Sequence, residues 1–86
     1  MKLEEYFRDI AILLDESMAI IEKTIRESKG ERKELYLDYR KSIREMGGLL
    51  YQLIGKMRMD KVFDPETAEA LITVIPEQIR EESEMI

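Results

Sequence analysis

Two apolar seams flank Gly30 and mirror each other about it. Before the glycine the seam reads Leu3, Phe7, Ile10, Leu14, Met18, Ile21 and Ile25; after it, Tyr36, Tyr39, Ile43, Met46, Leu50, Leu53 and Met57. Steps of three and four residues keep each set on one face of an α-helix. The pattern predicts a helix over about 3–28 and a second over about 31–60, joined by a short connection that makes them antiparallel neighbours. Gly30 supplies the left-handed stop between them. Folding the chain there matches Leu3 with Met57, Phe7 with Leu53, Ile10 with Leu50, Leu14 with Met46 and Ile21 with Tyr39.

Local signals agree with this hairpin. Glu4 and Glu5 fall in the first turn of the first helix and Arg26 and Lys29 towards its end, as the helix dipole favours. Gly47-Gly48 and Gly55 each cost about 1 kcal/mol relative to alanine in a helix interior. The seam nevertheless passes through them in phase, so the second helix is read as continuous, with room for a bend near Gly47.

The run Phe63-Asp64-Pro65-Glu66 combines an acidic N-cap, a proline at the first helical position and a phenylalanine placed to staple onto Ala68. A third helix is expected over about 65–84. Its apolar positions Ala68, Leu71, Ile72, Ile75, Ile79 and Ile86 hold helical spacing across Pro76, where the helix is either kinked or broken.

The flanks of the hairpin differ. On one side Tyr6, Leu13 and Ile20 meet Leu35, Leu49 and Leu53 in an apolar trough; on the other Glu4, Asp15 and Glu22 stand at the heights of Arg58, Arg44 and Arg40. The third helix is expected to fill the trough, with the charge pairs on the opposite flank selecting the antiparallel register. The expected fold is thus all-α: residues 1–86 form a single helical domain, a three-helix bundle built on a long antiparallel hairpin with a Pro-kinked C-terminal helix.

This topology leaves one face of the second helix unused. Leu37, Gly48, Gly55 and Met59 fall together on the wheel away from the seam, with Tyr51 and Val62 beside them. Heptad-spaced glycines let another helix approach closely, which marks a candidate association face and an assembly larger than one chain. The partner implied is a second copy, as a homodimer, or another helical protein.

Composition narrows the chemistry. The chain has no cysteine and no histidine, which removes disulfides, thiolate chemistry, the commonest general base and the commonest transition-metal ligand. Every acidic residue of the first two helices lies off the seams, so no buried carboxylate metal site is expected. No glycine loop precedes a lysine-serine or lysine-threonine pair, and Ser17 and Ser28 have no base beside them. No catalytic residue, cofactor, metal or small-molecule substrate is assigned.

Charged residues make up 38% of the chain while asparagine and tryptophan are missing, the compositional lean of thermophile proteins. The longest unbroken apolar run, Ile10 to Leu14, is too short for a membrane span or a signal-peptide core, and the chain reads as cytoplasmic.

The net charge of −5 argues against nucleic acid, but it is uneven. Residues 23–61 carry eleven basic and six acidic side chains, with acidic segments on either side. Lys33, Arg40, Arg44 and Arg58 form a basic row that contains Tyr51, a candidate nucleic-acid face. The expectation is therefore a non-enzymatic helical interaction or oligomerisation module, with an accessory nucleic-acid-binding subunit as the alternative.

Overall fold

The computed structural model describes residues 2–84, and it is an all-α helical bundle. Helix α1 (Leu3–Glu27) and helix α2 (Glu31–Met59) form the antiparallel hairpin; α3 (Pro65–Val74) and α4 (Glu77–Glu84) follow. Helix α3 packs on both long helices, and α4 packs on α2. Ile86 lies outside the described residues.

The hairpin turn depends on Gly30, whose φ of 66° and ψ of −141° lie in a region that only glycine enters without strain. Its carbonyl accepts from the Lys33 and Glu34 amides at 3.1 and 3.4 Å and so starts α2. On the other side of the turn the Ser28 hydroxyl donates to the Thr24 carbonyl at 2.6 Å, closing the end of α1.

Helix α2 runs unbroken through all three of its glycines. It stops in a Schellman motif: the Val62 amide donates to the Met57 carbonyl at 2.8 Å and the Lys61 amide to Arg58 at 3.1 Å. Lys61 takes the positive φ, 64°, that glycine usually supplies there. The chain then turns into Asp64, whose carboxylate accepts from the Thr67 amide at 2.7 Å and caps α3 behind Pro65. Proline at 76 pushes Ile75 into an extended conformation, φ −66° and ψ 133°. The C-terminal element is accordingly two short helices that meet at Ile75.

The core is assembled from all four helices. Phe7, Ala11, Leu14 and Met18 of α1 and Leu50 and Ile54 of α2 cluster with Phe63, Ala68, Leu71, Ile75 and Ile79. Phe63 stands edge-on to Phe7, with ring centroids 5.6 Å apart, and ties the α2–α3 connection to the start of α1.

This core departs from the seam expected from sequence in two linked ways. The buried faces of α1 and α2 are rotated by roughly 30–40° from the seams, so Ala11, Gly47 and Ile54 go inside while Leu3, Ile10, Tyr39, Met46 and Leu53 stay about half exposed. The layer expected to join Leu14 to Met46 therefore has only Leu14 buried.

The rotation follows from the second departure: α3 and α4 do not fill the apolar trough but cover the opposite flank. The Gly47 position explains why they fit there. A Cβ at Gly47 would stand 2.6 and 2.8 Å from the Cδ1 and Cγ2 atoms of Ile79, so α4 reaches the α2 backbone only because that residue is glycine.

The charge pairs change accordingly. Arg40 bonds Glu22 at 3.4 Å as expected, but Arg44 donates to Gln78 of α4 at 3.3 Å and Glu4 lies beside Arg8 at 3.9 Å, where sequence had matched them with Asp15 and Arg58.

Candidate association surface

With α3 and α4 on one flank, the trough on the other has no cover. On α1 it carries Leu3, Tyr6, Ile10, Leu13 and Ile20; on α2 it carries Leu35, Tyr39, Met46, Leu49 and Leu53. All ten are exposed, by 45 to 67%. The interruptions are small and polar: Ser17 and Thr24 continue the α1 stripe, and Ser42 sits inside the α2 stripe. Steps of three and four residues along both helices are the a/d spacing of helices that pack on further helices.

The size of this face is unusual for a small monomer. Ten large side chains, each about half exposed, present on the order of 1,000 Å², whereas the largest apolar patch on a typical monomer is about 300–600 Å². The whole molecule shows the same excess. Its accessible surface is 6367 Å², against roughly 5,300 Å² for a compact monomer of this mass. Its radius of gyration is 14.3 Å against about 12 Å for a compact chain of this length. Extents of 47 × 29 × 14 Å describe a slab about two helix layers thick, with the trough along one broad side.

The face predicted around the glycines is built differently. Tyr51 packs partly against the core, while Leu37, Gly48 and Gly55 are half-buried. Met59 and Val62 project, with Met59 83% exposed. A Cβ at Gly55 would meet nothing within 4 Å, so that glycine takes no close approach within the chain. A close approach is made at Gly47, next to the heptad pair, by the chain's own α4.

The basic row does not form one free cationic face. Arg40 is paired with Glu22 and Arg44 bonds Gln78, while Lys33 near the turn and Arg58 near the other end of α2 are exposed.

The remaining surface offers little chemistry. Among the described residues no group of three or more His, Cys, Asp or Glu could hold a metal ion, and no helix is long and apolar enough to cross a membrane. Among the described residues an open depression lies over Gln52, Gly55, Lys56, Arg58 and Met59. Asp64 has its carboxyl held below the usual carboxylate range by the Thr67 amide, which is the chemistry of a helix cap.

Sequence reasoning had identified most of the open face but assigned it to the interior. The signal that could have corrected it was residue size. Ala11 and Gly47 on the covered flank, with Ala68 of α3 packed in the same core, allow close helix approach, whereas the apolar residues of the trough are all leucine, isoleucine, tyrosine or methionine.

Compared with protein-family models, curated proteins and solved structures, the chain matches none of them.

Proposed function

We propose that this chain is a non-enzymatic interaction module that works by helix-to-helix association through the open apolar face of the α1–α2 hairpin. The observation that carries the reading is the ten-residue stripe at heptad spacing, left exposed by a core that closes without it. Burying such an area is worth roughly 25 cal/mol per Å² before the costs of association are subtracted. No comparable driving force is offered by the half-buried glycine face or by the divided basic row, so the reading moves from those to the trough.

The experiment replaces Leu13 and Leu49 together by aspartate, since both project from the face and neither supports the core. Wild-type protein should bind an apolar fluorescent dye or scatter light as an assembly, and the double variant should lose whichever property the wild type shows while keeping its helical circular dichroism. Indistinguishable behaviour of the two proteins would sink the reading.

A further inference from the structure

We propose that the occupant of the open face is a second copy of this chain, laid hairpin on hairpin in a twofold-symmetric four-helix layer in which α1 of one protomer packs against α2 of the other. The inference rests on the association reading above and names its partner.

Area and shape favour a second hairpin over a lone helix. Roughly 1,000 Å² per protomer is close to the ~800 Å² that each side of a stable complex buries. A single helix seated in the groove between the stripes would reach the residues along its floor. The outer positions Leu13, Ile20 and Leu49 are the most exposed of the ten, at 63, 67 and 66%, and a helix in the groove would leave them wet. Two helices side by side cover them, and this chain presents such a pair.

The serines select the arrangement. With α1 ending at Glu27 and α2 starting at Glu31, residues at equal height in the hairpin have numbers that sum to roughly 59. Leu13 is then level with Met46, Ser17 with Ser42, and Ile20 with Tyr39. A twofold axis parallel to the helices preserves height and places α1 against the partner's α2. Four serine hydroxyls then share one layer, with apolar layers on both sides.

That polar layer is tolerable because a helical serine can bond its own backbone, as Ser42 does to the Asp38 carbonyl at 3.3 Å. An axis across the helices reverses the heights instead. It sets serines against large apolar side chains, or it slides the Tyr6 and Leu53 layer onto the partner's turn.

The chain lacks cysteine, so single cysteines report contacts between copies. Leu13→Cys and Met46→Cys proteins, mixed and treated with a short thiol crosslinker, should form a covalent dimer that neither protein forms alone. Sedimentation of the wild type at about 100 µM, above the µM-to-pM range that interfaces of this size span, should give a dimer. Crosslinking of Leu13→Cys to itself with equal efficiency would overturn the arrangement. A wild-type monomer at that concentration overturns the second copy as occupant. If such a monomer binds dye and the Leu13→Asp/Leu49→Asp variant does not, the association reading survives with a different partner; if neither property depends on the two leucines, both proposals fall.

Discussion

The two flanks of the hairpin are built from side chains of different size, and the difference decides what each can hold. On the covered flank Ala11, Gly47 and Ala68 bring backbones close, and Ile54, Leu71, Ile75 and Ile79 fill the space left between them. On the open flank leucine, isoleucine, tyrosine and methionine recur at a/d spacing, interrupted by serines. The first pattern makes a core in which α4 packs along α2 and comes nearest its backbone where Ile79 lies over Gly47. The second makes a broad ribbon suited to a layer of further helices. Apolar content alone does not distinguish them; residue size and spacing do.

The sharpest way to break this comparison is to delete equivalent side chains from each flank. Ile54→Ala removes a fully buried side chain and should cost about 2–5 kcal/mol in chemical denaturation. Leu49→Ala, five residues earlier on α2 and on its open side, should change the stability of dilute protein by no more than about 0.5 kcal/mol. At high concentration the order of sensitivity changes, because Leu49→Ala should weaken assembly. Equal losses from the two variants at dilution would mean that the open flank belongs to the monomer core.

This contrast also explains what was legible in the sequence. Helical periodicity and the glycine between two seams were enough for an all-α bundle on an antiparallel hairpin, because the three- and four-residue steps leave no strand pattern to compete. The Phe63-Asp64-Pro65 run located the start of α3 because capping is local chemistry. The side on which α3 returns is not local.

Tyr6, Leu13, Ile20, Leu35, Leu49 and Leu53 had argued for cover, and sequence alone does not say whether cover comes from the same chain or another. The decisive features were a one-residue offset, Gly47 where the seam had Met46, and the small Ala11 beside Ile10. Adjacent residues stand about 100° apart on a helix, so exchanging Ile10 for Ala11, Met46 for Gly47 and Leu53 for Ile54 while keeping Phe7, Leu14, Met18 and Leu50 turns the buried faces by only part of that angle.

Glycines on α2 sharpen the comparison at a smaller scale. Gly47→Ala gains about 1 kcal/mol of helix propensity, but its Cβ must displace Ile79, including the Cγ2 atom near the Ile79 backbone. Overpacking in a closed core costs about 1–3 kcal/mol, so the net effect should be destabilising by about 1 kcal/mol. Gly55→Ala meets no atom within 4 Å and should stabilise by up to about 1 kcal/mol through propensity alone. Thermal melts of the two variants should move in opposite directions. Adding Ile79→Ala to Gly47→Ala should be less costly than the two separate effects together, since each relieves the other. Parallel shifts for Gly47→Ala and Gly55→Ala would remove the close approach of α4 from the account.

The smallest expected effect separates the covering helices from the hairpin by pH. Asp64 begins the cover: its carboxylate accepts from the Thr67 amide, and that bond, more than any other influence, holds its pKa below the ordinary aspartate value. Because the folded pKa is depressed, the carboxylate's contribution is fully present above the unfolded pKa and is lost as pH falls through the folded one. Neutral pH should therefore carry the full benefit, and progressive acidification below the normal aspartate range should loosen the start of α3 while the α1–α2 turn, capped by Ser28 and Gly30, has no titrating group in its hydrogen bonds. Asp64→Asn keeps an acceptor at the cap and removes the titration. The measurement is the difference in thermal midpoint between wild type and Asp64→Asn from pH 7 downwards: it should favour the wild type at neutrality and narrow as the carboxylate protonates. A difference that stays constant with pH would show that the charge on Asp64 does not help to hold the cover in place.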